Sequence, residues 1–125
     1  MQILVVDDET DVRDLFEQRF RREIRSGALH FSFAFSGEEA LSFLRAHHSE
    51  VLIILSDINM PGMSGLELLG HVKAEFEMPP TTMMMITAYG DDDSRQQAMQ
   101  LGANAFLTKP VDFAALKEKL VELLP

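Results

Sequence analysis

Three acidic side chains, one threonine and one lysine each follow or end a short apolar run in this sequence. Asp7 and Asp8 come after the first run, Asp57 ends the second, Thr87 ends the third, and Lys109 follows the fourth. Carboxylates brought close together repel one another unless one stays protonated or a divalent cation joins them. Oxygen ligands of this kind suit Mg²⁺, which keeps water and phosphate oxygens as its other ligands. The residue types therefore indicate a site for magnesium and a phosphoryl group.

A carboxylate in such a site can attack phosphorus as a nucleophile and form an acyl phosphate. The transferring phosphoryl group spreads negative charge over its oxygens, so cations and hydrogen-bond donors stabilise it. Magnesium would bind one of those oxygens, and the ammonium group of Lys109 would pair with a second. The hydroxyl of Thr87 would donate a hydrogen bond to the third. The set as a whole predicts an aspartyl-phosphate site.

Asp57 occupies the most informative position of the set. It ends a near-continuous apolar run over residues 51–56, and Pro61-Gly62 follows as a turn signal. Such a run is typical of a strand that is buried on both faces of a parallel sheet. Open α/β sheets bind their ligands at the carboxyl ends of central strands. We therefore expect the carboxylate of Asp57 at the ligand-binding edge of a sheet.

The remainder of the chain supplies the elements of such a sheet. Five strand-like segments alternate with five helical patterns, and capping-box sequences open two of the helices at Ser36–Glu39 and Ser64–Glu67. The first helix is predicted from one apolar stripe, formed by Val12, Leu15, Phe16, Phe20 and Ile24. Alternation with short connections predicts right-handed crossovers and helices on both faces. The expected fold is a flavodoxin-like, doubly wound α/β domain over residues 1–125, with strand order 2-1-3-4-5 and five helices.

Composition narrows the class of protein. The formal net charge of −9 argues against direct nucleic-acid binding, which needs clustered cations. No apolar run approaches the ~18 residues that span a bilayer, and the opening residues 1–6 lack the basic flank of a signal peptide. The chain has no cysteine, which excludes disulfides and thiol chemistry and suits a reducing compartment. We expect a cytoplasmic domain that binds neither membranes nor nucleic acid.

Four motifs resemble those of one family, the receiver domains of two-component response regulators, and in particular the receivers of the chemotaxis-regulator type. The motifs are Val5-Val-Asp7-Asp8-Glu9, Ser56-Asp57-Ile-Asn-Met-Pro-Gly62, Ile86-Thr87-Ala88 and Leu107-Thr-Lys109-Pro110. Each motif is weak alone, but all four in this order and spacing are specific, and the resemblance covers essentially the whole chain.

The resemblance implies a role for each acidic residue. Asp57 is the phosphoacceptor, and its donor is the phosphohistidine of a sensor histidine kinase or a phosphotransfer protein. Asp8, Asp57 and the backbone carbonyl of Asn59 hold Mg²⁺ (or Mn²⁺) directly, and Asp7 helps through water or as an outer ligand. Lys109 pairs with Asp57 and then with the phosphate, and the Lys109-Pro110 bond is expected to be cis.

The resemblance also implies a switch. Thr87 and Ala88 contact the phosphoryl group, and Phe106 is the aromatic side chain that rotates inward behind Thr87. Phe106 lacks the hydroxyl of the tyrosine that is frequent at this position, which removes any signal carried by that group. Asn59 and Tyr89 occupy positions that tune the hydrolysis of the aspartyl phosphate. The surface expected to switch is formed by the predicted fourth helix, fifth strand and fifth helix.

Alternative functions fit the residues less well. A phosphatase with an aspartyl nucleophile would place a general acid two residues later, where this chain has Asn59. A flavin carrier would place Gly, Ser and Thr after the first strand, where Asp7-Asp8-Glu9 stands instead. The remaining alternative is a receiver-fold interaction or dimerisation module that is never phosphorylated. We expect a protein that catalyses only its own phosphorylation and dephosphorylation. Its expected partners are a downstream effector or a fused output domain, and the sequence is compatible with formation of a homodimer.

Overall fold

The sheet has five parallel strands in the predicted order. The computed structural model describes residues 1–76, 82–88 and 92–122. The strands are β1 (Gln2–Val6), β2 (His30–Ala34), β3 (Val51–Asp57), β4 (Thr82–Thr87) and β5 (Ala105–Thr108). All four strand pairs are parallel, and the order across the sheet is β2-β1-β3-β4-β5. The doubly wound topology predicted from the sequence is therefore confirmed.

The described helices number six, one more than the sequence analysis predicted. They are α1 (Val12–Arg19), α2 (Arg21–Ser26), α3 (Gly37–His47), α4 (Gly65–Glu75), α5 (Asp92–Gln100) and α6 (Phe113–Glu122), and a 3₁₀ turn covers His48–Glu50. Among the described residues, no helix is both long enough and apolar enough to cross a bilayer.

The extra helix arises because the first predicted helix is interrupted at Phe20. The backbone there has φ −111° and ψ 25°, outside the helical range, although the amide of Phe20 still donates to the carbonyl of Phe16. The ring of Phe20 is 1% exposed and packs against those of Phe16, Phe31 and Phe113. Burial of this ring takes precedence over local helix propensity, which is a weak preference.

Apolar side chains form two layers, one on each face of the sheet. Ile54 points into the layer beneath α3 and α4, whereas Ile53 and Leu55 point into the layer beneath α1, α2 and α6. Strand side chains alternate between faces, so a central strand covered on both sides must be apolar at nearly every position. This burial explains the continuous apolar run that precedes Asp57.

One side chain of the predicted apolar stripe does not face the core. Leu15 is 42% exposed, whereas Phe16 and Phe20 of the same stripe are buried. Leu15 lies on the flank of α1 and lines the cleft between α1 and the segment from Pro110 to Phe113. Leu15 thus belongs to the predicted apolar stripe without being buried, because the bulky rings of Phe16 and Phe20 occupy the inward positions.

The start of α4 is packed directly on the backbone of the strand that carries Asp57. The hydroxyl of Ser64 accepts from the amide of Glu67 at 3.1 Å, and the carboxylate of Glu67 accepts from the amide of Ser64 at 3.3 Å, which completes the predicted capping box. The amide of Gly65 donates to the carbonyl of Ile58 at 2.7 Å. A Cβ atom on Gly65 would overlap the carbonyl oxygen of Asp57. Only glycine fits at this contact.

We predict that Gly65→Ala destabilises the fold, whereas Gly70→Ala in the same helix stabilises it. The added methyl group at position 65 meets backbone atoms that cannot move aside easily, and overpacking of this kind costs about 1–3 kcal/mol. Gly70 has open space at the same position, so alanine should add about 0.5–1 kcal/mol through helix propensity. Urea denaturation measures both changes, and equal stabilities of the two variants would contradict the packing at Gly65.

Candidate functional site

The strand order brings the predicted site residues to one edge of the sheet. Asp7 follows β1 directly, Asp57 is the last residue of β3, Thr87 is the last residue of β4, and Lys109 follows β5. These four strands are neighbours in the sheet and run in the same direction, so their carboxyl ends meet. The side chains come together from four separate parts of the chain.

The three carboxylates form one cluster. Asp7, Asp8 and Asp57 each offer an oxygen atom, and these atoms lie within 4.8 Å of one another. Asp7 is 5% exposed and Asp57 8% exposed, whereas Asp8 is exposed to solvent. An all-oxygen donor set with one open side fits Mg²⁺, which takes one or two carboxylates and keeps several waters. The residues present therefore fit the predicted metal.

Lys109 bridges two of the carboxylates. Its Nζ atom lies 3.0 Å from Oδ2 of Asp7 and 3.4 Å from Oδ2 of Asp57. The expected pairing with Asp57 is present, but the shorter contact is to Asp7, which the sequence analysis did not assign to Lys109. The amide of Lys109 donates to the carbonyl of Thr87 at 2.7 Å, and the Lys109-Pro110 bond is cis, as the resemblance implied.

The protonation behaviour of the pair follows from burial and charge. Burial raises the pKa of Asp57, the ammonium of Lys109 lowers it, and the nearby carboxylate of Asp7 raises it again, which leaves this pKa above its ordinary value. Burial alone lowers the pKa of Lys109, but hydrogen bonds and charge from Asp7 and Asp57 outweigh it, so the pKa of Lys109 is raised. One ammonium group does not neutralise three carboxylates, so the charge of the site favours a further cation.

A hydrogen bond across the site joins Asn59 to Thr87. Nδ2 of Asn59 donates to Oγ1 of Thr87 at 3.3 Å, and Thr87 itself is fully buried. Both residues were predicted to belong to the site, but the bond between them was not. Sequence spacing gives no signal for it, because it depends on how the loop after β3 turns back over β4.

The other predicted switch residues lie around this edge. Ala88 is exposed directly after Thr87, and Phe106 is half-buried in β5 against the layer beneath α3 and α4. Tyr89 lies outside the described residues, so its predicted effect on hydrolysis stays a prediction.

Comparison with known proteins agrees with this fold and site. The fold and the site together define a doubly wound α/β domain with an acidic pocket at the carboxyl edge of its sheet. Residues 3–121 match the response regulator receiver domain, and the chain belongs to that family. Receiver domains bind Mg²⁺ at an acidic pocket, which here corresponds to the cluster of Asp7, Asp8 and Asp57.

Three similar proteins place the chain within the family. The chemotaxis protein CheY of Pseudomonas aeruginosa is 32% identical, over 98% of this chain and 95% of that protein. The response regulator protein PilR of the same species is 37% identical over 97% of this chain, which spans 25% of PilR. A CheY of Borrelia burgdorferi, solved as a complex with CheX, BeF₃ and magnesium, is 25% identical with a TM-score of 0.86, over 100% of this chain and 90% of that one.

We predict that Asp57→Asn stabilises the metal-free protein at neutral pH. Because the native pKa of Asp57 lies above its ordinary value of 3.8, the native state holds this proton more tightly than the unfolded chain does. The free energy of unfolding of the wild type therefore falls as pH rises from 3.8 through the raised native pKa. The variant lacks this loss, so its advantage should appear over the same pH window, with a slope of at most about 1.4 kcal/mol per pH unit.

Urea denaturation in the presence of a chelator, at several pH values between about 4 and 7, measures this difference. Asp14→Asn is the matched control, because Asp14 is exposed on α1 and lies outside the carboxylate cluster. A surface change of this kind usually alters stability by less than about 0.5 kcal/mol. An Asp57→Asn variant that is less stable than the wild type at neutral pH would show that burial does not penalise this charge.

Proposed function

We propose that this chain is a phospho-accepting receiver domain that takes a phosphoryl group onto Asp57. The donor is the phosphohistidine of a sensor histidine kinase or a phosphotransfer protein. The observation that carries the proposal is the cluster of three carboxylates, two of which contact Lys109, with the hydroxyl of Thr87 at the end of the neighbouring strand. Family membership supports the same role.

The reaction is a displacement at phosphorus. A carboxylate oxygen of Asp57 forms the new bond to phosphorus, and the phosphorus–nitrogen bond of the donor breaks with its electron pair left on the imidazole. The ammonium of Lys109 already lies 3.4 Å from Oδ2 of Asp57, where it can stabilise the negative charge of the arriving group. The protein therefore contributes positioning and charge stabilisation, and it catalyses only its own phosphorylation and dephosphorylation.

The carboxylate cluster is the proposed place for the metal. Asp8, Asp57 and the backbone carbonyl of Asn59 would hold Mg²⁺, and Asp7 would act as an outer ligand. Bound magnesium neutralises the carboxylates and stabilises charge on the phosphoryl oxygens. Mn²⁺ would suit the same residues, because it shares the preference for oxygen ligands.

The proposed switch begins at Thr87. In this structure its Oγ1 atom accepts from Asn59, and a phosphoryl oxygen on Asp57 would give the hydroxyl a new partner. A bond that exists only in the phosphorylated state shifts the population towards the conformation that forms it. Thr108 of β5 is paired with Thr87 of β4, and Phe106 lies two residues before Thr108 on the same strand. We therefore propose that the side chain of Phe106 moves when Thr87 moves.

The output surface is proposed to be formed by α5, β5 and α6. Met99 and Leu101 at the α5 end and Val121 on α6 are large apolar side chains, and each is more than two-fifths exposed. Exposed apolar side chains on a polar helix favour contact with a partner. The partner would be an effector, a fused output domain or a second copy of this chain, in the cytoplasm.

Phosphorylation can be tested with the isolated chain. We expect incubation with Mg²⁺ and acetyl phosphate to add one phosphoryl group, detected by intact mass spectrometry. A chelator, Asp57→Asn and Asp8→Asn should each abolish or strongly reduce the gain, whereas Asp14→Asn on exposed α1 should leave it unchanged. A wild-type chain that gains no phosphoryl group from acetyl phosphate or a histidine phosphotransfer protein would favour the interaction module instead.

We predict that Thr87→Val separates phosphorylation from switching. The variant keeps the acceptor and Lys109 but loses the hydroxyl, and a hydrogen bond to a charged group contributes about 1.5–3 kcal/mol. Asp57 should still be phosphorylated, while the bias towards the switched state should fall about tenfold or more. Amide hydrogen exchange in α5, β5 and α6, with and without phosphate, measures the switch. Thr82→Val, at the opposite end of the same strand, is the control.

A further inference from the structure

The loop between β3 and α4 is held by the first turn of α3, the helix that follows β2. This loop covers residues 58–64 and includes Asn59, whose carbonyl is the proposed metal ligand. We propose that Glu38 is a positioning residue, which fixes this loop so that Asp57 and the Asn59 carbonyl can bind magnesium together. The inference rests on the proposed function and adds a residue that lies in none of the four motifs.

The contact that carries the inference is a hydrogen bond from the loop to Glu38. The backbone amide of Met63 donates to Oε1 of Glu38 at 3.0 Å. The same oxygen lies 3.2 Å from the point where a Cβ atom on Gly62 would stand. Gly62 has φ +74°, a left-handed conformation that glycine adopts without strain. The chain thus turns at Gly62 against the carboxylate of Glu38.

A second contact beside it brings the loop close to α3. A Cβ atom on Gly37 would lie 2.8–2.9 Å from the Cβ, Cγ and Sδ atoms of Met63, closer than real side chains approach. The absence of a side chain at Gly37 therefore allows Met63 to pack against the start of α3. Two successive residues of α3 hold two successive residues of the loop.

Both ends of the loop are fixed by other bonds. At its start, the amide of Ile58 donates to the carbonyl of Ile86, and at its end Ser64 forms the capping box of α4. Asn59 lies between these ends and is exposed, so neighbouring side chains do not bury it. The side chain of Asn59 is bonded to Thr87 and Met60 is buried in the core, whereas Pro61 and Gly62 are exposed. The bond from Met63 to Glu38 therefore restrains the exposed second half of the loop. Partners outside the first ligand shell orient metal ligands and affect metal affinity.

The charge of Glu38 is matched by that of its neighbour, which allows a clean comparison. Glu38 and Glu39 are both exposed in the first turn of α3, and only their contacts differ. The carboxylate of Glu39 forms no hydrogen bond or ion pair with any described residue, although its amide is capped by Ser36. Glu38→Ala and Glu39→Ala therefore remove the same charge from the same turn, and Glu38→Gln keeps an oxygen that can accept from Met63.

The test is calorimetric titration of the folded, unphosphorylated chain with Mg²⁺. We expect Glu38→Ala to raise the magnesium Kd by about two- to tenfold, the effect of losing one ordinary hydrogen bond. Glu38→Gln and Glu39→Ala should each stay within about twofold of the wild type, which is less than the change expected from losing that bond. In the metal-free protein, the amide of Met63 should exchange faster in Glu38→Ala than in Glu39→Ala.

The outcomes separate the two proposals. If the wild type binds Mg²⁺ and Glu38→Ala binds it as tightly as Glu39→Ala does, Glu38 does not position the loop and the proposed function is untouched. A loss in Glu38→Gln as large as that in Glu38→Ala would overturn the role of the hydrogen bond in the same way. A wild-type chain that binds no Mg²⁺ would overturn both proposals. Thermal unfolding of each variant excludes loss of the fold as the cause.

Discussion

Repulsion among three carboxylates, offset in part by one ammonium group, is the constraint on which the rest of this structure depends. Asp7 and Asp57 are buried beside each other, and Lys109 lies within 3.4 Å of both. Burial and the charge of Asp7 keep the pKa of Asp57 above its ordinary value, so the protein holds a costly negative charge where a cation or phosphoryl group would bind. The burial of this charge therefore lowers the stability of the protein at the place proposed to bind such groups.

The sheet makes this crowding unavoidable. Asp7 and Asp8 follow β1, Asp57 ends β3 and Lys109 follows β5. Backbone hydrogen bonds and apolar layers on both faces hold these strands in register. The buried carboxylates of Asp7 and Asp57 therefore stay close together, because their strands cannot move apart without disturbing the core. Rigid elements that present a charged cluster are typical of sites that need a fixed geometry, since small displacements are costly in binding and catalysis.

Much of the fold and site could be predicted from the sequence because its strongest signals are local. Apolar runs that end in Asp57 or Thr87 identify both a strand and the edge where its side chain lies. Alternation with helices predicts a parallel sheet, and the number of strands favours one of the two common doubly wound orders. What the sequence did not reveal depends on tertiary packing. The interruption at Phe20 follows from ring burial, and the exposure of Leu15 follows from the same rings. The bond between Asn59 and Thr87, the shorter contact of Lys109 with Asp7, and the contact of Glu38 with the loop depend on distances between segments far apart in the chain.

The contact at Gly65 has a consequence for the route that a signal can take through the domain. The backbone of Asp57 and the first residue of α4 are in direct contact, and the amide of Gly65 is bonded to Ile58. Asp57 and the start of α4 are therefore packed as one unit, and a displacement of one would displace the other. On the other side of Asp57, Thr87 is joined to the loop after β3 by the hydrogen bond from Asn59. If Asp57 accepts a phosphoryl group as proposed, α4 would serve as the frame against which the rest of the site rearranges.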